Sequence, residues 1–448
     1  MKKIYSALCC ALLLIMLCVG LVSMFDKDPT YSESERRKLK EFPKITFSSL
    51  LDGSLTTSIR EYYADTFPGR ENLMETNKSL NGFYYFSGLA SDDSTSLVLD
   101  FSSNAAGGGE ALQTDPTGDA TEATGGQETP DTPTNAPPPQ TEPSVQAEQL
   151  GNVILVGDRG MDVPYANGTV IRNYAKAVTG IADLLGSNVK TMNMLVPNAA
   201  AFYAHKEYRS GAYSQTDMFQ LCKDNLGSNV TYVDAYSVLA NHTDEYIYFR
   251  TDHHWTHQGA YYAYTALCDT VGFVPETQDK FDTGKWENFV GSMYTYTASY
   301  PQSRVLKENP DTIHYWKPYV DCTTYYYSDT KLSDGIQMGT ICKIPEDLDN
   351  KYLTFMGADH PITIVETDVN GPVIMVIKES YGNALISWLT SHYSKIILID
   401  PREYFAIRDD LDLKAFAESQ GVNQCLIINY PMMINSEAYV GWLNKLAQ

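Results

Sequence analysis

Three of the eight histidines in this 448-residue chain lie within five positions, in Asp252-His253-His254-Trp255-Thr256-His257. A carboxylate two positions before an imidazole can hold that ring in one tautomer and stabilise its protonated form. Asp252 and His254 have this spacing. A loop histidine that only caps or packs is the plainer alternative. A second segment, Lys378-Glu379-Ser380-Tyr381-Gly382-Asn383, follows the apolar run Val373–Ile377. It places a serine hydroxyl at an expected helix start, where free N–H groups and the dipole favour a developing oxyanion. Serine is also a favoured N-cap, which requires no catalysis. Together the two segments suit nucleophilic catalysis, with Ser380 as nucleophile, His254 as base and Asp252 orienting the ring.

Other residues are candidates for the same crevice. Asn429 follows an apolar run and could donate to an oxyanion. Arg402, in Asp400-Pro401-Arg402, could hold an anionic substrate or pair with Asp400. Ser292, in Gly291-Ser292-Met293, is a further oxyanion or substrate-binding candidate. His253 and His257 stand four apart and could share a helix face with Asp252 as a third metal ligand. No HExxH glutamate lies between them, and neither a metal nor another cofactor is expected.

The elements that must position these residues alternate. Strand-like runs are Asn152–Val156, Thr191–Val196, Val230–Val233, Val373–Ile377, Lys395–Ile399 and Gln424–Ile428, with Tyr246–Phe249 before the histidine cluster. Helical stretches fall at Val170–Leu185, Asp217–Leu226, Thr256–Cys268, Tyr381–Ser391 and Glu437–Leu446. Continuous apolar strands between helices predict an α/β fold with a mostly parallel sheet covered on both faces. Chemistry in such sheets gathers at the carboxyl ends of strands. The Tyr-rich stretch from Phe273 to Gly371 breaks the rhythm and reads as an excursion with short strands of its own.

Composition bounds the partners. The chain carries 33 Lys+Arg against 55 Asp+Glu, a net charge of −22, and no basic stripe, which argues against nucleic acid. Its 32 tyrosines suit contact with sugars or wet surfaces, or a Tyr-rich core edge. Lys2 and Lys3 precede an uncharged run from Ile4 to Phe25, long enough to span a bilayer. Residues 1–25 are expected to be a signal anchor, a transmembrane helix with the rest of the chain outside the cytoplasm; a cleaved signal peptide is the rival. Residues 26–101 read as an N-terminal part of the globular domain. Residues 102–149 hold seven of the 21 prolines, eight acidic residues and no Lys, Arg or aromatic residue, and are expected to be a disordered acidic insert. Residues 150–448 form the main domain. Five cysteines follow the anchor, and Cys322 with Cys342 could be a disulfide or remain reduced.

The Asp252-His253-His254-Trp255 tetrad, with Lys378-Glu379-Ser380-Tyr381-Gly382-Asn383 downstream, resembles the DHHW protein family of bacterial cell envelopes. Phe67-Pro68-Gly69-Arg70 and Ile399-Asp400-Pro401-Arg402-Glu403-Tyr404 extend the resemblance over most of residues 30–448. That family is similar in turn to the SGNH hydrolase-like domains of the alginate O-acetyltransferases. The resemblance implies a three-layer SGNH hydrolase-like domain and triad roles for Asp252, His254 and Ser380. Glu379 is a departure, since the family usually has Asp before the serine. The implied activity is serine-dependent O-acetyl transfer, or ester hydrolysis, on a cell-surface polysaccharide, with acetyl delivered by a membrane-bound O-acyltransferase. A non-catalytic glycan-binding or scaffold protein on the same fold is the alternative.

Overall fold

Runs of Val, Ile and Leu with no polar face demand burial on both sides, and in the computed structural model they form the middle of one sheet. The structure describes residues 142–448 together with Tyr31, Ser32, Arg37, Lys38, Phe42, Tyr62 and Thr66. The expected signal anchor and residues 102–141 of the expected insert lie outside the described residues. Among the described residues no helix is long and apolar enough to cross a membrane. The chain divides into two compact units, residues 1–93 with Pro345–Asp349, and residues 94–344 with 350–448. In the first, Tyr31–Ser32 pairs antiparallel with Arg37–Lys38, and the Phe42 ring meets Tyr62 edge-on.

The second unit is built on an eight-stranded sheet. Its strands are β1 (Lys190–Leu195), β2 (Val230–Val233), β3 (Cys322–Tyr327), β4 (Ile336–Met338), β5 (Ile362–Thr367), β6 (Val373–Ile377), β7 (Lys395–Ile399) and β8 (Gln424–Asn429). They lie in the order β4-β3-β5-β7-β6-β8-β1-β2. The pairings β7/β6, β6/β8, β8/β1 and β1/β2 are parallel. Those joining β4, β3, β5 and β7 are antiparallel. The sheet is therefore mixed, which corrects the expectation of a mostly parallel one. The Phe273–Gly371 excursion is the cause: besides the antiparallel ribbon Asp282–Phe289/Asp311–Lys317, it lays β3, β4 and β5 along one side.

Alternation along the strands feeds two cores. Ile374 and Val376 of β6 join one cluster, with Ala260, Ala263 and Leu267 of helix His257–Val271 and with Trp388. Met375 and Ile377 join the other, with Ile171 and Val178 of helix Gly168–Leu185 and Leu443 of helix Glu437–Leu446. Each such fully buried aliphatic side chain contributes about 1.5–3 kcal/mol. Helices thus cover both faces, and the strand ends open where the helix N-termini begin.

Some expected elements differ. Asn152–Val156 is a strand over Val153–Val156, but in a separate antiparallel sheet with Ala147–Leu150 and Arg159–Asp162. The last residues of the expected insert, Ala147–Gln149, are paired in that sheet. Tyr246–Phe249 makes only an isolated bridge, Tyr248 to Trp255. Tyr381–Ser391 is a tight 3-10 turn, Ser380–Leu385, running into the short helix Ile386–Leu389. All five cysteines outside the N-terminal run are free, Cys322 and Cys342 included.

Candidate active site

The segment holding Asp252 is an irregular loop before helix His257–Val271, and buried polar bonds fix its shape. Asp311, at the start of the Asp311–Lys317 strand, accepts from the Thr251 N–H and hydroxyl, both at 2.7 Å, and from Arg250. Thr256 caps the helix by accepting from the Gly259 N–H at 3.2 Å. Asp252 and His254 then face inward, each about 5 % exposed.

Two aromatic residues tie this loop to the serine turn. The Trp255 indole donates to the Tyr381 carbonyl at 3.0 Å, and the Tyr381 hydroxyl donates to the His253 carbonyl. The two segments that carry the candidate residues, 126 positions apart, therefore meet. His254 Nε2 lies 2.8 Å from Ser380 Oγ, and its Nδ1 lies 2.6 Å from Asp252 Oδ1. Asp252 also accepts from the His254 N–H at 3.0 Å and, through Oδ2, from the Ser292 N–H at 2.8 Å. Burial would raise the Asp252 carboxyl, but the His254 and His253 rings and these hydrogen bonds outweigh it, holding it well below the usual carboxylate range. An anion fixed there favours a proton on Nδ1, leaving Nε2 free to accept from the serine.

Tyr352 was not legible as a site residue. It sits in the turn Lys351–Thr354, stacks on the His254 ring at 3.9 Å with planes 9° apart, and donates to the Ser380 carbonyl at 3.1 Å. It holds the imidazole from the face and the serine from its backbone. Nothing in its sequence neighbourhood marks it among 32 tyrosines.

The remaining expected residues are placed differently. Asn429 is fully buried, its Oδ1 accepting from Tyr174 at 2.9 Å and its amide donating to Tyr439 at 2.7 Å. Both ends of the amide are thus engaged between the sheet and two helices, away from any oxyanion role. Arg402 takes the second of its two expected roles: it donates twice to Asp400 and once, at 2.7 Å, to Asp359. Lys378, 2 % exposed, reaches Asp359 at 2.7 Å, so the four residues form one ion cluster beside the serine turn. Ser292 does reach the triad, from the acid's side: besides its N–H on Asp252, its hydroxyl lies 2.6 Å from His253 Nδ1.

The metal set first considered does not assemble. His257 is buried, accepts from the Trp316 N–H at 3.0 Å and bonds the Ser387 hydroxyl at 2.8 Å, so both ring nitrogens are occupied. Asp252, His253 and His254 do turn potential ligand atoms within 4.8 Å of one another. The His254 atoms, however, are bonded to Asp252 and Ser380. Burial and the adjacent His254 ring depress His253 to about 4, against the pull of Asp252 and Asp162.

Fold and site together define a mixed α/β domain with a buried Asp–His–Ser constellation at the carboxyl ends of its central strands. A family profile described as DHHW protein matches residues 35–90 and 123–399, and the chain belongs to that family. A DHHW family protein from Eubacterium siraeum is 31% identical, with 67% of this chain and 97% of that one covered and a TM-score of 0.59. Bacillus cereus PatB1, solved with a sulfonyl adduct, is 16% identical with a TM-score of 0.50, covering 64% of this chain and 97% of that one. Its likeness is one of fold. The O-acetyltransferase domain of Pseudomonas putida AlgJ matches at 14% identity over 67% of this chain and 98% of that one, with a TM-score of 0.39. No curated protein matches by sequence.

Proposed function

We propose that this chain is a serine acyl-transfer enzyme that adds or removes O-acetyl groups on a cell-surface polysaccharide. The observation that carries the reading is the unbroken bond path from Ser380 Oγ through His254 to Asp252, at 2.8 and 2.6 Å. In this reading Ser380 Oγ attacks the acyl carbonyl while His254 Nε2 takes the hydroxyl proton. Asp252 stabilises the resulting imidazolium without taking the proton itself. The C–O bond to the donor's alcohol then breaks, and His254 returns the proton to that alcohol. Water or a sugar hydroxyl then attacks the acyl-serine, giving its proton to His254; the C–Oγ bond breaks and His254 returns that proton to Ser380. Hydrolysis and transfer differ only in that last acceptor. Residues 1–25 are proposed to hold the enzyme at the outer face of the membrane, where acetyl would come from a membrane-bound O-acyltransferase.

The test has two parts. A fluorophosphonate probe should label the protein at Ser380, and a soluble acetyl ester with a glycan acceptor should give an acetylated glycan, or free acetate alone. A folded protein that neither labels nor releases acetate from any ester would make the constellation a structural remnant on a glycan-binding scaffold.

A further inference from the structure

Glu379 is a buried ionisable group for which the acyl-transfer scheme has no use. It lies between β6 and Ser380, is fully buried, and among the described residues is bonded through one oxygen alone. Oε2 accepts from the Tyr381 N–H at 3.0 Å and stands 3.4 Å from Ser380 Oγ. Oε1 has no partner. Two cations are close, yet both are committed elsewhere, Lys378 to Asp359 and Arg402 to Asp359 and Asp400. Among the described residues none makes an ion pair with Glu379. A carboxylate so placed would hold a bare charge away from water, an arrangement that burial strongly disfavours.

We propose that Glu379 is a positioning residue that must be uncharged for Ser380 to deliver its proton to His254. The proposal rests on the acyl-transfer reading of the same site. Uncharged, Glu379 still caps the serine turn through Oε2, and the hydroxyl is left to bond His254. Ionised, it is a stronger acceptor 3.4 Å from Oγ and competes with His254 for the hydroxyl proton. Its charge would also stand beside the oxyanion that forms when Ser380 attacks, a like-charge penalty in a low-dielectric site.

Burial, more than the neighbouring charges, favours the uncharged form of Glu379. Burial above all, then Asp359 and Asp400, raise it to about 7, against the pull of Arg402 and the Tyr381 N–H. On its other sides stand the phenols of Tyr174, Tyr352, Tyr381, Tyr430 and Tyr439, each held neutral by burial. His254 lies beyond the serine hydroxyl.

The experiment follows fluorophosphonate labelling of Ser380 with pH and compares rates within each protein. For the wild type, labelling at about pH 8.5 should fall at least about tenfold below that at about pH 6. In Glu379→Gln, which cannot ionise, that fall should vanish whatever the absolute rate. A merely structural cap would leave the shape of the profile unchanged, so an equal fall in Glu379→Gln overturns the proposal while leaving Ser380 the nucleophile. A wild type that labels at no pH overturns the acyl-transfer reading itself. Should Glu379→Gln not fold, infrared spectra of the wild type decide. A protonated-carboxyl band must disappear over the interval in which labelling falls, and its absence at about pH 6 overturns the proposal.

Discussion

Glu379, not Ser380, caps the turn that follows β6: its side-chain oxygen takes the Tyr381 N–H at 3.0 Å, and the Ser380 hydroxyl lies 2.8 Å from His254. Ser380 opens the 3-10 turn as expected, and the rival reading of it as the N-cap is thereby set aside. The capping work falls to the residue before it, where a glutamate has the reach to fold back on the backbone.

Ser380→Ala should therefore leave the melting temperature within about 2 °C of the wild type, since no cap is lost and only one small polar group is removed. Turnover and fluorophosphonate labelling should drop by about a thousandfold or more. Thermal melts beside labelling gels check both halves. Retained ester cleavage in the variant would move the nucleophile elsewhere.

The two adjacent histidines should separate cleanly. His254→Ala removes the ring bonded to both Asp252 and Ser380 and should abolish labelling. His253→Gln keeps a polar group for the Ser292 hydroxyl, and should stay folded with partial activity. Steady-state rates on a soluble acetyl ester would read the difference.

Gly291 tests the proposed triad from beside Asp252. A methyl group at that position would overlap the Cβ of Asp252 and crowd its Oδ2. Gly291→Ala should push the carboxylate away from His254 and slow labelling by about a hundredfold, because displacements near 1 Å have that effect. Its stability should fall by about 1–3 kcal/mol from overpacking. Wild-type kinetics in this variant would show that the loop yields instead.

Acidification should destabilise the fold through His257. Burial depresses its ring to about 3, so between about pH 6.5 and that value the unfolded chain binds a proton that the folded one refuses. Stability is thus intact above about pH 6.5 and declines as the pH falls, by about 1.4 kcal/mol per unit. His253, at about 4, acts in the same direction. His257→Gln should be less stable at neutral pH and lose less on going to about pH 4.5. Urea titrations at the two pH values give the comparison.

The local pieces of this fold are written in short stretches of residues. The apolar runs that became β6, β7 and β8 are legible because strands buried on both faces tolerate no polar alternation. Asp252, His254 and Ser380 stood out because a short-range motif carried them, two residues apart in one case and at a strand end in the other. The strands Cys322–Tyr327 and Ile362–Thr367 were not legible, lying in a Tyr-rich stretch whose partners are distant in the chain. Their antiparallel pairing, and so the mixed sheet, depends on contacts that no local pattern encodes. The same holds at the site. Tyr352 stacks on His254 from 98 positions away, Asp311 clamps the histidine loop from 59 beyond Asp252, and Asn429 is bound by tyrosines on two helices. Residue type and spacing state which chemistry is available. Only tertiary packing decides which polar groups are consumed in satisfying one another and which are left facing the serine, because every buried donor and acceptor must find its partner wherever the fold puts one.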